Sequence, residues 1–515
     1  MKRPDRLAVG RVVATWWLPT VIACAVGALY VCYSVAQWRA LVVPSWDLGI
    51  FAEAAQAYSR FEAPIVPIKG PGYNLLGDHF HPILALLGPV YRLFPSALTL
   101  LVVQDVLIAA SVVPVARLAQ RLLGRGGALL VGLVYGLGWG LQGAVGAQFH
   151  EVCVAVPLLA LGGVAFVERR WGACMAWLAP LVLVKEDLGL TVFMAGLAIA
   201  WRGRGEGRPA VLRGLAYALF GIVAFVVTVK VLLPAMNPAG TWAYSLDGSA
   251  TGAGSPMGGS TAAREVPSLW DILTTPSVKL ATLLVLLAGA GFVGASSPWF
   301  ALVLPTLAWR FAGSVEAYYV WDSWHYNAVL VPIAACSLLD VINRWCEPER
   351  ASRSASASAL AEAVGEDALN DLRTDHVATA SATRRRRAAA WAVACVPALS
   401  LAITASALPL WQLPTLTEDP RMAAAQGALD AVPEGASVET DTTLLARLVP
   451  GREVYWVGTS GTMDTPPEYV VIDVRSYAWG GQHVDAESWG SAAHPGHTYE
   501  TIYSKAGFRV ARRTS

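Results

Sequence analysis

The side chains best suited to chemistry are concentrated in one stretch of the chain, SWDLGIFAEAAQAYSRFEAPIVPIKGPGYNLLGDHFHP, residues 45–82. It concentrates the ionisable residues Asp47, Glu53, Glu62, Lys69, Asp78, His79 and His81. Only 15% of the whole chain is charged, and this stretch directly follows a long apolar segment. Ionisable groups beside membrane segments are costly unless they face water or a site. We therefore interpret residues 45–82 as the candidate active loop.

Asp47 is the candidate catalytic residue of this loop. A carboxylate at the water boundary, just after a first membrane span, can accept a proton from an incoming hydroxyl group. Apolar residues then follow at helical spacing: Ile50, Phe51, Ala54, Ala55 and Tyr58. This spacing predicts an amphipathic helix over 47–60 that lies at the external membrane interface. The alternative is that Asp47 is the N-cap of this helix, and the two roles are compatible.

Asp78-His79-Phe80-His81-Pro82 is the densest polar cluster. Pro82 suits the first turn of a helix, so we expect residues 78–81 to be extended, with His79 and His81 pointing the same way. Two imidazoles at this spacing can bind a phosphate group. If the protein uses a divalent metal ion, the candidate ligands are Asp47, Asp78, His79 and His81. The alternative is that these histidines are only solvated or hydrogen-bonded.

Three further polar turns lie at the ends of predicted spans. They contain the candidate substrate- or phosphate-binding residues His150 and Glu151, then Lys185, Glu186 and Asp187, and finally His325 and Tyr326. Ion pairs between helices, or snorkelling to the interface, are the alternative explanation. Lys185 could pair with Glu186 or Asp187 of a neighbouring segment, or it could hold a phosphate.

The elements that must position these residues are membrane spans. The chain of 515 residues is 55% hydrophobic, in blocks longer than a soluble helix needs. The positive-inside tendency is satisfied if the N-terminus is cytoplasmic and 81–95 is an interfacial or re-entrant helix, which gives about eleven spanning helices. Residues 97–117 and 126–146 are two of these predicted spans. The same topology places every candidate site residue on the external face of the plasma membrane.

The predicted fold is an all-α polytopic transmembrane bundle followed by a small soluble α/β domain. Residues 1–342 form the transmembrane core, with a first external loop at 37–95. Residues 343–388 form a flexible cytoplasmic linker, and 389–410 form the last transmembrane helix. Residues 411–515 form the external domain, with helices near 421–431 and after Asp441, and strands near 437–439, 453–457 and 469–474.

Composition also excludes some classes of site. None of the seven cysteines is spaced as CxxC, so neither a disulfide framework nor a zinc site is indicated. The RRRR run at 384–387 has no aromatic or structural context of a nucleic-acid surface, and we expect no nucleic-acid partner.

Four separated motifs carry a resemblance to a known family. They are WDLGIFAEAAQ, LLGDHFHPILALLGPVYRLFP, QFHEV and LVLVKEDLGL, in this order along the chain. Between about Val35 and Leu339 the sequence resembles the bacterial membrane proteins of the domain of unknown function 2079. That family in turn resembles the GT-C class of membrane glycosyltransferases, which includes protein mannosyltransferases and aminoarabinose transferases.

The resemblance implies sugar transfer with inversion from a polyprenyl-phosphate donor to an envelope glycan, lipid or protein acceptor on the external face. Asp47 would be the base, or would help to bind a metal or the acceptor. Lys185, His79, His81 and His150 would be the cations that stabilise the leaving phosphate. Two alternatives remain: a transporter or lipid flippase that uses the same ionisable cluster, and a non-catalytic scaffold for envelope assembly.

Overall fold

A computed structural model describes residues 6–237, 268–313, 315–362, 368–461 and 463–514. Within these ranges the protein is mostly helical, with one small sheet near the C-terminus. The first helices are α1 (Arg6–Arg39), α2 (Asp47–Ser59), α3 (Leu87–Leu93), α4 (Ala97–Gly136), α5 (Trp139–Gly146), α6 (Val152–Val167), α7 (Trp171–Leu178), α8 (Leu188–Arg202), α9 (Arg208–Val227) and α10 (Leu233–Met236). Next come α11 (Leu269–Thr274), α12 (Val278–Gly289), α13 (Val303–Ala312), α14 (Leu330–Glu362) and α15 (Ala368–Thr404).

Several helices are long and apolar enough to cross a membrane. In the described ranges these segments are Trp16–Arg39, Ala97–Gly146, Arg208–Met236, His325–Cys346 and Arg384–Ala407. The segment Ala97–Gly146 folds back on itself at Gly124, whose φ of +80° breaks the helix. Its two halves then pack closely, because a Cβ on Gly132 would lie 2.9 Å from Ala116 Cβ. The two spans predicted at 97–117 and 126–146 are therefore two antiparallel segments.

The segment predicted as interfacial or re-entrant is short. A 3-10 turn at Pro82–Leu86 leads directly into α3, so that the apolar helical stretch is Pro82–Leu93. An α-helix of this length covers about 18 Å, which is less than the roughly 30 Å of a bilayer core. Pro82 opens the turn, as expected from its fixed φ and missing N–H group.

The C-terminal region forms the predicted α/β domain. Its helices are α16 (Met422–Asp430), α17 (Thr442–Leu448) and α18 (Ala486–Ala493). Its strands are β1 (Ser437–Thr440), β2 (Glu453–Trp456), β3 (Tyr469–Asp473), β4 (Tyr499–Lys505) and β5 (Phe508–Arg513), in the sheet order β2-β1-β3-β5-β4. The first three strands are parallel, and β5 and β4 are antiparallel. The elements predicted up to 474 are confirmed, whereas the β4–β5 hairpin was not predicted.

Helix α2 is buried between the transmembrane helices and this C-terminal domain. A Cβ on Gly49 would lie 2.9 Å from Leu445 of α17, and Gln56 Oε1 accepts a hydrogen bond of 2.9 Å from the Gly451 amide. The rings of Trp46 and Trp456 meet edge to face at 5.6 Å. The helix predicted over 47–60 is confirmed, and its position at the membrane interface stays a prediction. The C-terminal domain packs against α2, a contact that the amphipathic pattern did not predict.

The predicted linker 343–388 is helical where it is described. Helix α14 continues to Glu362, and α15 begins at Ala368. Alanine, which is abundant here, has the highest helix propensity of any residue and accounts for this backbone. The role of this segment as a cytoplasmic connector stays a prediction.

Candidate functional site

Asp47 is the first residue of α2, where the chain turns after α1. The N-cap residue is Trp46, and no side chain caps the helix, so the N-cap role predicted for Asp47 is wrong. Instead, Asp47 Oδ2 accepts a hydrogen bond of 2.7 Å from Ser45 Oγ and lies 3.4 Å from His150 Nε2. The Asp47 side chain keeps 30% of its surface exposed, against 4% for His150. Asp47 is thus a partly exposed carboxylate in contact with a buried imidazole.

The orientation of His150 is set by its own turn and by α4. Gln148 has a φ of +70°, which turns the chain between α5 and α6. His150 Nδ1 faces the Gln148 carbonyl oxygen at 3.2 Å, and the His150 amide donates to Gln104 Oε1 at 3.1 Å. These two contacts fix the ring so that Nε2 is directed at Asp47.

The surroundings of Asp47 favour its ionised form. Burial raises the pKa of Asp47, but the hydrogen bond and charge of His150, together with Ser45, lower it by more. The net pKa lies below the ordinary value. Asp47 is therefore a carboxylate at neutral pH.

His325 closes the other side of His150. The two rings stack at a centroid distance of 3.6 Å with 21° between their planes. This arrangement needs glycine in α5, because a Cβ on Gly140 would lie 2.5 Å from the Asn327 carbonyl oxygen. A Cβ on Gly143 would lie 2.8 Å from the Trp324 carbonyl oxygen. The loop before α14 therefore rests directly on the backbone of α5 and brings His325 to the site.

Lys185 and Glu151 form a buried ion pair behind these imidazoles. Lys185 Nζ donates to Glu151 Oε1 at 2.6 Å, and both residues are buried. Burial raises the pKa of Glu151, but the opposing charge of Lys185 contributes most to a net pKa well below the ordinary value. The ion-pair partner of Lys185 is thus Glu151, whereas the sequence suggested Glu186 or Asp187 as one of two alternatives. The turn at 150–151 and the turn at 185–187 meet through this pair.

His79 contacts the turn at residues 185–187. Its Nδ1 lies 2.8 Å from Glu186 Oε1, and Glu186 Oε2 accepts from the Phe80 amide at 3.1 Å. Burial lowers the pKa of His79, but the charge and hydrogen bond of Glu186 outweigh it and leave the pKa raised. Next to it, Lys69 forms an ion pair with Asp78. Burial raises the pKa of Asp78, whereas His79 and then Lys69 lower it to a net value below the ordinary one.

His81 has different surroundings from His79, although both were expected to point the same way. Its ring meets Phe51 of α2 edge to face at 5.7 Å, and its Nδ1 has no hydrogen-bond partner among the described residues. Burial lowers the pKa of His81 to about 4. His81 is therefore a neutral imidazole at neutral pH, and the prediction that it supplies a cation is wrong.

Asp187 and Tyr326 complete the set of predicted residues. Trp309 Nε1 donates to Asp187 Oδ2 at 3.0 Å, and burial is the main cause that raises the pKa of Asp187 to about 6. The ring of Tyr326 contacts that of His325, with the centroids 4.0 Å apart and the planes tilted by 38°. All candidate residues from 47 to 326 thus lie in one connected region, drawn from five segments of the chain.

Sequence reasoning missed the residues that hold these segments in place. Arg310 of α13 is fully buried; it donates to the Tyr326 carbonyl oxygen at 3.1 Å and to Asn327 Oδ1 at 2.6 Å. Gln104 of α4 holds the turn at His150. A signal was present, because a lone arginine or glutamine inside an apolar segment needs a polar partner within the protein.

Within the described ranges, no three His, Cys, Asp or Glu side chains converge as a metal site would require. In particular, Asp47 faces His150, whereas Asp78 faces Lys69 and His79 faces Glu186. The set Asp47, Asp78, His79 and His81, predicted as possible metal ligands, is therefore divided among separate partners.

The fold and this site define a polytopic membrane protein that gathers ionisable residues at one end of its helices. Residues 38–510 match the family described as Predicted membrane protein (DUF2079), and the chain belongs to this family. Two crystal structures of ArnT from Cupriavidus metallidurans are similar to it. The one bound to undecaprenyl phosphate has 13% identity and a TM-score of 0.46, over 95% of this chain and 97% of that chain. The apo structure has 14% identity and a TM-score of 0.44, over 94% and 97%. No curated protein matches the chain.

Proposed function

We propose that this protein is an integral membrane glycosyltransferase, which moves a sugar with inversion from a polyprenyl-phosphate donor to an envelope glycan, lipid or protein. The observation that carries the proposal is the pairing of Asp47 with His150 at the end of α1. It provides a partly exposed, ionised carboxylate where a lipid-borne donor in the membrane and an acceptor in water can meet. The sequence resemblance to GT-C glycosyltransferases names the same residue.

In the proposed reaction an acceptor hydroxyl oxygen attacks the anomeric carbon of the donor sugar. The bond from that carbon to the phosphate oxygen breaks, and its electron pair leaves on the polyprenyl phosphate. Asp47 accepts the hydroxyl proton. Its lowered pKa makes it a weak base at rest, so it takes the proton only as the attacking oxygen becomes positive.

The leaving phosphate would be stabilised by the cations behind Asp47. Lys185 and His79 carry positive charge, and each is held in place by a carboxylate, Glu151 or Glu186. Cations fixed in advance in a poorly hydrated site stabilise developing negative charge more strongly than mobile ones in water. The neutral His81, whose Nδ1 has no partner among the described residues, can donate a hydrogen bond to a phosphate oxygen.

The acceptor would bind beside Asp47 at the start of α2, where this end of the helix faces the C-terminal domain. The carboxyl ends of the parallel strands β1, β2 and β3 meet this region, and ligands of open α/β sheets bind at such ends. Trp456 ends β2 and contacts Trp46, and Tyr477 follows β3 with 60% of its surface exposed. Burial raises the pKa of Tyr477, the hydrogen bond of Thr442 lowers it, and the charges of Asp47 and Asp441 raise it, with a net pKa above the ordinary value. Aromatic rings beside carboxylates suit a hydroxyl-rich acceptor.

The proposal includes a membrane topology. The N-terminus is cytoplasmic, about eleven helices span the plasma membrane, and the domain at 411–515 is external. Residues 343–388 then connect the transmembrane core to the last span on the cytoplasmic side. Labelling a cysteine placed at position 79 from outside the cell tests this arrangement. Protection at 79 together with exposure at 121 would overturn it.

Asp47→Asn tests the catalytic assignment. The change keeps the size of the side chain but removes the proton acceptor, so we expect sugar transfer to fall by roughly 100-fold or more. The measurement is mass spectrometry of the lipids that copurify with the protein. Wild-type protein should release polyprenyl phosphate, whereas the variant should retain the polyprenyl-phosphate sugar.

Glu62→Gln is the matched control, because it makes the same chemical change at a carboxylate that is 56% exposed beside Arg60. We expect transfer to be unchanged in this variant. Transfer by Asp47→Asn at the wild-type rate would contradict the proposal. Movement of the lipid across the bilayer without sugar transfer would favour the transporter or flippase alternative instead.

A further inference from the structure

A groove opens at the end of the bundle opposite Asp47, between α1, α4, α6 and α7. Its volume is about 680 Å³. Arg117 lies 20 residues after the start of α4, or about 30 Å along the helix. The start of α4 packs beside α2, so the groove and the Asp47 site are separated by about the thickness of a bilayer core.

The mouth of this groove is basic. Arg117, Arg121 and Arg170 line it. A second cavity of about 510 Å³, which shares Arg121, Glu168 and Arg170, adds Arg169. Glu168 is the acid that lines both: it pairs with Arg170 at 2.6 Å and also contacts Arg121. Arg117 stacks on the Trp16 ring at 3.7 Å, and its buried Nε has no hydrogen-bond partner among the described residues. Arg169 pairs with a second acid, Glu206, at 3.8 Å. Four arginines and two carboxylates thus leave an excess of positive charge.

The remainder of the groove is lined by apolar side chains. Its wall is formed by Ala110, Val113, Pro114, Leu161 and Val164. Trp16 and Trp177 lie on its rim and are 39% and 43% exposed. Tryptophan is enriched at the level of lipid headgroups, and basic pockets between transmembrane helices bind anionic headgroups. A free phosphate ion would use the mouth but would leave the apolar wall without a partner.

We propose that this arginine groove binds an anionic glycerophospholipid, with the phosphate among the arginines and an acyl chain along the apolar wall. The lipid phosphate supplies the acceptor that Arg117 Nε lacks. It also neutralises part of the excess charge beside Glu168. This site is separate from the proposed sugar-transfer site, and its occupant is a membrane lipid rather than a donor.

Binding of phosphatidylglycerol to the full-length protein in detergent, followed by native mass spectrometry, tests the proposal. Phosphatidylcholine and glycerol 3-phosphate are the comparison ligands. We expect the wild-type protein to retain phosphatidylglycerol in preference to both. In R117Q/R121Q/R170Q we expect its affinity to fall by roughly one to two orders of magnitude, because each basic residue near a lipid surface contributes to the attraction.

The matched control is R204Q/R208Q/R213Q, which removes three exposed arginines that do not line the groove. We expect this variant to bind phosphatidylglycerol like the wild-type protein. An equal loss in both triple variants would mean non-specific attraction and would overturn the proposal, as would equal binding of glycerol 3-phosphate.

Val113→Trp provides an independent test if the triple variant fails to fold. The larger side chain fills the apolar part of the groove and leaves every arginine in place. We expect phosphatidylglycerol binding to fall at least tenfold. Wild-type affinity in this variant would show that the lipid does not occupy the groove.

Discussion

The charged residues at the two ends of the helical bundle have opposite environments. At the Asp47 end, acids, histidines and Lys185 pair with one another and are mostly buried, as in the 2.6 Å contact between Lys185 and Glu151. At the other end, arginines lie at the surface, with Arg121 and Arg170 exposed by 47% and 57%. The surface arginines have access to water and lipid headgroups, whereas the buried groups depend on each other.

The charged residues at the two ends also differ in how much free energy they cost the protein. Exposed arginines keep their contact with water, so their charge costs little free energy. Burying an ion costs several kcal/mol even after the surrounding protein has relaxed, and the cost is offset only by close partners. The Asp47 end is therefore where a single substitution should matter most. The following predictions test this contrast, from the largest expected effect to the smallest.

Removing one member of the Lys185–Glu151 pair should have the largest effect on stability. Lys185→Met leaves Glu151 buried without its cation, and Glu151→Gln leaves Lys185 without its anion. We expect each change to lower the free energy of unfolding by about 3–5 kcal/mol. The measurement is thermal unfolding of the detergent-solubilised protein.

The double variant Glu151→Gln/Lys185→Met is the control. It removes both charges, so its loss should be clearly smaller than the sum of the two single losses. Additive losses would mean that the two residues act independently, and the contrast between the two ends would then not depend on buried pairing.

Gly49→Val should have the next largest effect, because it separates α2 from the C-terminal domain. A Cβ at this position already lies 2.9 Å from Leu445 Cδ2 and 3.0 Å from Ile68 Cδ1. Overpacking of this kind costs about 1–3 kcal/mol. We expect the C-terminal domain to become more sensitive to protease. Gly172→Val is the matched change at the opposite end, where a Cβ on Gly172 would meet no atom within 4 Å; equal sensitivity in both variants would contradict the prediction.

The sequence predicts which residues lie at the site better than it predicts which of them pair with one another. Charged residues beside apolar segments are visible one by one, and all of Asp47, His79, His150 and Lys185 lie in one region. The partner of Lys185 is 34 residues away, at Glu151, and its choice depends on how two turns meet in space. No local pattern contains that information.

The fold shows the same limit. Hydrophobic runs identify the two halves of Ala97–Gly146 as separate spans, and the Asp441 cap is correct, since its carboxylate accepts from the Thr443 amide at 2.9 Å. The burial of α2 could not be predicted, because the domain that covers it begins more than 350 residues later in the chain. Its helical pattern fits a membrane interface and a protein interface equally well.

The His79–Glu186 pair should make stability depend on pH. Because the pKa of folded His79 is raised, the pair stabilises the protein fully below the unfolded histidine value of about 6.5, and this contribution is lost as pH rises through the folded value. We expect the unfolding temperature to fall with rising pH above about 6.5. In Glu186→Gln, burial alone would lower the pKa of His79, so the slope from this residue should reverse.

His483→Gln serves as the control for this pH experiment, because His483 is exposed in the C-terminal domain. Its pH profile should match that of the wild-type protein. A Glu186→Gln profile that also matches the wild type would show that the pair does not set the protonation of His79.

Arg60→Ala should have the smallest effect, although its ion pair has nearly the same geometry as the buried one. Arg60 Nε lies 2.8 Å from Glu62 Oε2, but the two side chains are 53% and 56% exposed. Exposed pairs contribute about 0.2–1 kcal/mol, because water screens the charges and both side chains lose freedom when they pair. We expect the unfolding temperature to change little, and to change less still at high salt. A loss comparable to that of Lys185→Met would mean that distance rather than burial determines the strength of these pairs, and the contrast between the buried site and the exposed arginines would lose its physical basis.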